Sequence, residues 1–266
     1  MLKKLLKYDM REIKRRSLPF YLASGAASLL CCGLLFFARS FQGENGGFAM
    51  YSVMSLYAIG IFSIFAIFVV NSFFAIMRYY KSFFSDEGYL NMVIPADTGK
   101  LLLAKTISGY IWVLVSFAVM LLSFGIAAIV PNLLYDPKGF FLFADGILSG
   151  NGTDFLFGAI AVILGCIQLF VSVFEAITVV FASVTIGSIA FSKHRIIGSV
   201  LIYMAISFVH SGVVGVTESL VVFLLVSEST AAFYFGQIIS IAVSAAVSAV
   251  MYAINLGRLK TGFNIE

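Results

Sequence analysis

The chain has 266 residues, of which 61% are hydrophobic and only 11% are charged. A soluble domain has about one quarter charged residues, so this composition excludes a water-soluble globular fold. The apolar stretches are apolar on every side, which excludes a β-barrel, because barrel strands alternate apolar and polar residues. We therefore predict an all-α integral membrane protein with one transmembrane domain over residues 1–266.

The chemistry-bearing residue types are scarce and scattered. The three cysteines lie in apolar runs, and the two histidines match no metal-ligand spacing. We find no Ser-His-Asp, Cys-His or paired-carboxylate arrangement. The sequence therefore predicts no metal site, no catalytic residues and no enzymatic activity in this chain.

The N-terminal segment, residues 2–16, is basic and carries leucine, methionine and isoleucine at helical spacing. This pattern predicts an amphipathic helix on the membrane surface, attracted to anionic lipid. Pro19 favours a helix break near Leu18. The apolar run that follows is too long for a signal peptide, so we interpret 18–38 as a retained first span.

Five further spans are predicted from apolar length and turn signals. Pro131 is expected to end the third span. The fourth is longer than one bilayer crossing and is expected to project into water or to break. Residues 217–230 have an apolar centre but are too short to cross and return, which favours a re-entrant or interfacial hairpin. The five spans are about 51–77, 106–130, 155–190, 197–216 and 231–254.

Basic residues are distributed unevenly between the two sets of loops. With the N-terminus inside, the inner segments hold 15 of the 17 Lys and Arg residues, and only Arg39 and Lys138 lie outside. Cytoplasmic loops are enriched in Lys and Arg. The charge pattern therefore predicts six spans with both termini in the cytoplasm.

Polar residues inside the predicted spans are candidates for a substrate or ion pathway, because a polar group in lipid must face the bundle interior or a wet cavity. Glu175 lies in the middle of span four, with Gln168 two turns earlier on the same face. A structural hydrogen bond is the competing interpretation for each of them. The candidates are Asn71, Gln168, Glu175 and His210.

Span six carries serines at spacings of four, with alanines beside them. Small residues at this spacing let helices approach closely. We interpret Ser240, Ser244 and Ser248 as packing residues, either within the bundle or across a dimer interface.

The predicted cytoplasmic loop 78–105 combines charge, aromatics and a helix break. The helix from span two can continue through Phe84, and Asp86-Glu87-Gly88 then breaks it. Asp97 or Thr98 can cap the helix that leads into span three. Exposed aromatics on such a loop suit a partner groove, although an aromatic belt at the lipid interface is the alternative.

Three stretches resemble ABC-2 type transporter permeases of Gram-positive bacteria. The first is RYYKSFFSDEGYLNMVIPADTGKLLLAK at 78–105, which is similar to the aromatic, DEGYL and LLLsK pattern of that family's cytoplasmic loop. The second is SVTIGSIAFSKHRIIGSVLIY at 183–203, and the third is the entry segment LLKYDMREIKRRSLPFY. Asn91-Met92-Val93 departs from the Thr/Phe-rich residues expected there.

The resemblance implies a transmembrane subunit that pairs with a separate ATP-binding cassette protein, so ATP and Mg would lie on that partner. It implies that the 83–90 segment forms or flanks the helix that docks on the ATPase, and that the turn before span five makes a second contact. It also implies a second permease subunit, either identical or a sister chain, in the bacterial cytoplasmic membrane. The implied contact residues are Phe83, Phe84, Asp86, Glu87, Gly88, Tyr89, Leu90, Lys193, His194 and Arg195.

The function expected from the resemblance is ATP-driven export of a peptide, drug or other amphipathic molecule. Two alternatives of a different class stay open. One is an ATP-independent secondary transporter or channel that uses Glu175. The other is a non-transporting membrane protein, such as an immunity protein or a sensor. Nucleic acid is not an expected partner.

Overall fold

The computed structural model is helical through almost all of the chain that it describes. The predicted all-α class is confirmed there. In chain order the helices are α1 (Leu2–Arg39), α2 (Gly47–Phe84), α3 (Thr98–Tyr135), α4 (Gly152–Ala190), α5 (Arg195–Leu225) and α6 (Thr230–Thr261). The described residues are 2–39, 47–85, 98–135, 138, 152–191, 193–225 and 230–261.

All six helices contain a segment long and apolar enough to cross a membrane, as expected of a multi-pass membrane protein. Each helix is longer than the roughly 20 residues that one membrane crossing needs. Helix α2 has 38 residues, which is about 57 Å at the helical rise of about 1.5 Å per residue. A bilayer core is about 30 Å thick. A helix of this length must tilt strongly or extend into water.

Two prolines that were predicted to interrupt helices lie inside them. Pro19 is within α1 and Pro131 is within α3. The break predicted near Leu18 and the end predicted for span three at Pro131 are therefore wrong. A proline removes one backbone donor, and membrane helices tolerate this loss when nearby groups compensate. Beside Pro131, the Asn132 amide donates to the Ala128 carbonyl oxygen at 2.6 Å, next to the Ala127 carbonyl that loses its helical donor at the proline.

The basic N-terminal segment is continuous with the first span rather than a separate surface helix. Its amphipathic pattern is present all the same. Lys7, Arg11 and Lys14 are exposed, whereas Ile13 on the opposite face is only 4% exposed. Asp9 shares the buried face.

Span four was predicted either to project into water or to break, and no break occurs in its described residues. Helix α4 is unbroken from Gly152 to Ala190. The stretch 217–225, predicted to belong to a re-entrant or interfacial hairpin, continues α5 to Leu225. Residues 226–229 lie outside the described residues, and the re-entrant or interfacial hairpin over 217–230 stays a prediction.

The chain divides into two compact units. Unit 1 comprises residues 1–7, 76–110 and 151–266, and it contains α4, α5 and α6, which pack against one another. Unit 2 comprises residues 8–75 and 111–150.

The core of unit 2 is formed by α1, α2 and α3. Its buried centre is surrounded by Phe68 and Phe117, whose rings make an edge contact at 6.0 Å between centroids. Hydroxyl pairs also join α1 to α3, including Ser24 and Ser123 at 2.6 Å. The buried centre consists of Cys31, Ile64, Met120 and Ala127.

Candidate functional site

One end of unit 1 brings together the two segments that the family resemblance associates with ATPase contact. We call it the junction end, the end at which α2 and α4 finish and α5 begins. Arg195, the first residue of α5, donates a hydrogen bond from Nη1 to the carbonyl oxygen of Phe84, the last residue of α2, at 3.1 Å. The last carbonyls of a helix lack donors within the helix and attract cations. Arg195 therefore caps α2.

The predicted contact residues differ in exposure at the junction end. Lys193 and His194 lie in the connection between α4 and α5, Arg195 is the first residue of α5, and all three side chains are exposed. Phe83 is different: it is helical, only 2% exposed, and its ring lies 5.0 Å from that of Tyr79. The prediction of an exposed aromatic is wrong for Phe83, which supports the end of α2 from inside. Asp86, Glu87, Gly88, Tyr89 and Leu90 lie outside the described residues.

A buried polar triangle lies behind the junction end and ties three helices together. The Tyr79 hydroxyl of α2 is 2.7 Å from Thr185 Oγ1 of α4 and 3.1 Å from Asn255 Oδ1 of α6. The Thr185 hydroxyl donates to the same Asn255 oxygen at 2.7 Å. These three residues are at most 2% exposed. A hydroxyl has one proton, so a consistent arrangement has Tyr79 donating to Thr185 and Thr185 donating to Asn255.

Aromatic stacking reinforces the triangle. The rings of Tyr79 and Phe181 are nearly parallel, with centroids 3.9 Å apart. Phe181 in turn lies against Gly109 of α3, where a Cβ would be 3.1 Å from the ring. The end of α2 is thus held by hydrogen bonds and by ring contacts at once.

Helices α4 and α5 approach closely where they form the junction end. A Cβ added to Gly187 would overlap the backbone of Ser199, and one added to Gly198 would overlap the ring of Phe191. The Ser199 hydroxyl donates to the Arg195 carbonyl at 2.8 Å. Glycine at both positions permits backbone contact that larger residues prevent.

The second group of polar residues lies in the middle of unit 1. Glu175 of α4 and His210 of α5 meet with Oε1 and Nδ1 3.0 Å apart. The Glu175 side chain is 9% exposed and that of His210 is 28% exposed. The distance is that of a hydrogen bond, but neither atom has a partner of good hydrogen-bond geometry among the described residues. The pair is an ion pair when the imidazole is protonated.

Seven residues before Glu175 in α4, Gln168 Nε2 donates to Ser240 Oγ of α6 at 3.2 Å. The Oε1 atoms of Gln168 and of Gln237, one turn before Ser240, are buried without a hydrogen-bond partner in the described part of the chain. Among the predicted intramembrane candidates, the structure thus joins Glu175 to His210 and places Gln168 on the same helix. Asn71 belongs to unit 2, where it is 1% exposed.

The serines of α6 are divided from its alanines. Ser244 and Ser248 are buried, whereas Ala242, Ala245 and Ala249 are exposed. The serine face therefore packs within the chain, as one of the two sequence-based interpretations has it. Within the residues described, no group of three or more His, Cys, Asp or Glu side chains could hold a metal ion.

Sequence reasoning missed the polar triangle. Tyr79 stood out only as part of an aromatic loop sequence, and Thr185 and Asn255 had no signal of their own. The available signal was helical spacing, because Tyr79 and Phe83 are four residues apart and lie on one face of a continuing helix.

Comparisons with protein-family models, with curated proteins and with solved structures find no match to this chain.

Proposed function

We propose that the chain is the membrane-embedded permease subunit of an ATP-driven ABC exporter of amphipathic molecules, with ATP hydrolysis on a separate subunit. The observation that supports this most strongly is the Arg195–Phe84 hydrogen bond. It joins the two segments, distant in sequence, that resemble the family's ATPase contacts. One partner surface can therefore engage both at the junction end.

A docking site transmits force only if it is connected rigidly to the spans. The polar triangle gives that connection, because Tyr79, Thr185 and Asn255 lie in three different helices of unit 1. A partner that displaces the end of α2 would therefore move α4 and α6 with it. Six spans are half of the usual pathway of such exporters, so a second permease subunit completes the proposed assembly in the bacterial cytoplasmic membrane.

The test is capture of the ATPase together with charge reversal at the junction end. A tagged chain purified from its native membrane should bring down a protein with ATP-binding cassette motifs and ATPase activity. Arg195→Glu should reduce the captured ATPase by about tenfold. Lys138→Glu, at an exposed position that belongs to unit 2, is the matched control and should leave capture unchanged.

Two results would contradict the proposal. One is a wild-type chain that captures no such protein. The other is normal capture by Arg195→Glu together with normal capture by Glu87→Lys in the DEGYL segment. Both variants must first be recovered from the membrane at wild-type yield, since a loss of insertion would also reduce capture.

One observation favours a second candidate function, an ATP-independent transporter. The contact between Glu175 and His210 places a carboxylate and an imidazole together inside the spans, and such residues mark proton or ion pathways. Proteoliposomes that hold this chain alone distinguish the two functions. Transport driven by a proton gradient without ATPase would favour the secondary transporter, and transport only with ATPase and ATP would favour the exporter.

A further inference from the structure

Several buried polar side-chain atoms of unit 1, including His210 Nδ1, have no hydrogen-bond partner of good geometry among the described residues. The side-chain oxygens of Gln168, Glu175 and Gln237 each include one buried atom without a hydrogen-bond partner among the described residues. One of the two N–H groups of the Gln168 amide donates to Ser240. A buried acceptor without a donor is destabilising, so a set of them favours a ligand rich in N–H groups.

The carboxylate of Glu175 lies deep within its span. It is 17 residues after Gly158 and 15 residues before Ala190, the two ends of the candidate membrane span of α4, so it is more than about 20 Å from either end along the helix. That is more than half the thickness of a bilayer core, which is about 30 Å. Lipid headgroups do not reach this depth, so the ligand must carry its own polar group into the membrane.

We propose that Glu175 and His210, with Gln168, bind a primary ammonium or guanidinium group of an amphipathic molecule. That this molecule is the exported cargo rests on the proposed function; that it binds here does not. A carboxylate has about four lone-pair positions, and contact with one imidazole nitrogen leaves most of them for the ligand. An ammonium has three N–H donors and a guanidinium five, so either satisfies several acceptors at once.

Access and selectivity follow from the same residues. His210 is the more exposed member of the pair, so the site is reached from the α5 side of unit 1. The surrounding helices offer apolar surface for a hydrocarbon tail, as in the exposed Val213, one turn after His210 on the same face of α5. A divalent metal is disfavoured, because the described residues contain no cluster of three metal-ligating side chains.

The experiment measures binding of three probes with one tail and different headgroups to the purified full chain in nanodiscs. The probes are dodecylammonium, dodecyltrimethylammonium and dodecanol. The wild type should bind dodecylammonium at least about tenfold more tightly than dodecanol. Dodecyltrimethylammonium, which has the charge but no N–H donor, should lie between them.

Variants separate the site from partitioning into lipid. Glu175→Gln should abolish the preference for dodecylammonium, and Glu175→Asp should retain part of it. Glu12→Gln is the matched control, because Glu12 is a half-exposed acid paired with Arg16 in α1. Equal binding of dodecylammonium and dodecanol by the wild type, or an undiminished preference in Glu175→Gln, would overturn the proposal.

This binding assay contains no ATPase, so its outcome is independent of the capture experiment. Headgroup selectivity without ATPase capture would retain the cation site and reject the exporter. ATPase capture without headgroup selectivity would retain the exporter and reject the site.

Discussion

The hydroxyl oxygens of Tyr79 and Thr185 lie 2.7 Å apart at a position where both residues are almost completely buried. This contact joins α2 to α4, and Asn255 extends it to α6. Hydrogen bonds between membrane helices have no competing water, but their measured contributions are modest, about 0.6 kcal/mol on average. The triangle therefore contributes more to fixing the relative positions of three helices than to overall stability.

Removing the Tyr79 hydroxyl tests this view. We expect Tyr79→Phe to lower the free energy of unfolding by about 1 kcal/mol, because one hydroxyl with two contacts is lost while the stacking on Phe181 is kept. Unfolding by titration with a denaturing detergent would measure the change. In the proposed complex, the same variant should reduce transport per ATP hydrolysed more than it reduces stability.

The matched control is Tyr8→Phe, since Tyr8 is 71% exposed on α1. It should leave stability unchanged within about 0.3 kcal/mol. A loss above about 3 kcal/mol in Tyr79→Phe would mean that the triangle is a main source of stability. In that case its role in coupling would lose its support.

The sequence was sufficient to predict the class of the fold and the six helices, because the length of each apolar run can be read directly from it. It was misleading at Pro19 and Pro131, where rules learned from water-soluble helices predicted interruptions. In a membrane, the alternative to a slightly defective helix is an irregular backbone without water, which is worse. The sequence placed the end of span five near residue 216, whereas α5 continues as a helix of 31 residues to Leu225.

Sequence reasoning predicted only part of the candidate site. Glu175 and His210 were each recognised as unusual in an apolar span, but they are 35 residues apart in different helices. No local sequence pattern predicts that these two residues are in contact, because the contact depends on the antiparallel packing of α4 and α5. The family resemblance implied that Phe84 and Arg195 belong to two separate contact segments. It did not predict the hydrogen bond that joins them.

Because α4 and α5 approach closely at Gly187, we expect the loss of stability caused by a Gly→Ala substitution to depend strongly on its position. Gly187→Ala should destabilise the protein by about 1–3 kcal/mol, because the added methyl group overlaps the Ser199 backbone and must push the helices apart. Thermal unfolding in nanodiscs would measure the loss.

Gly165→Ala in the same helix is its control, since a Cβ there has no neighbour within 4 Å. It should be neutral or slightly stabilising, because alanine is the better helix former. Equal effects of the two substitutions would contradict the helix contact at Gly187.

The hydrogen bond from Trp112 Nε1 to Ser17 Oγ, 2.9 Å long and buried, can be followed by fluorescence. Trp112 is the only tryptophan of the chain, so all tryptophan emission comes from this position. Ser17→Ala should shift the emission to shorter wavelength and lower stability by about 1–2 kcal/mol, because the indole N–H loses its acceptor. Ser55→Ala, at a serine bonded only within its own helix, should change neither quantity. An unshifted spectrum in Ser17→Ala would contradict the contact.

Gln168 distinguishes a structural role from a functional one in the middle of unit 1. Its amide donates one hydrogen bond to Ser240, but its Oε1 atom is buried without a partner in the described residues. Gln168→Leu removes both groups together, so we expect a stability change of no more than about 1 kcal/mol. If Gln168 serves the cation site, the same variant should weaken dodecylammonium binding several-fold. Ser172→Ala, at an α4 serine bonded to its own helix, should leave both stability and binding unchanged. A stability loss above about 2 kcal/mol with normal binding would assign Gln168 to packing alone, because a residue that serves the ligand would show the reverse pattern.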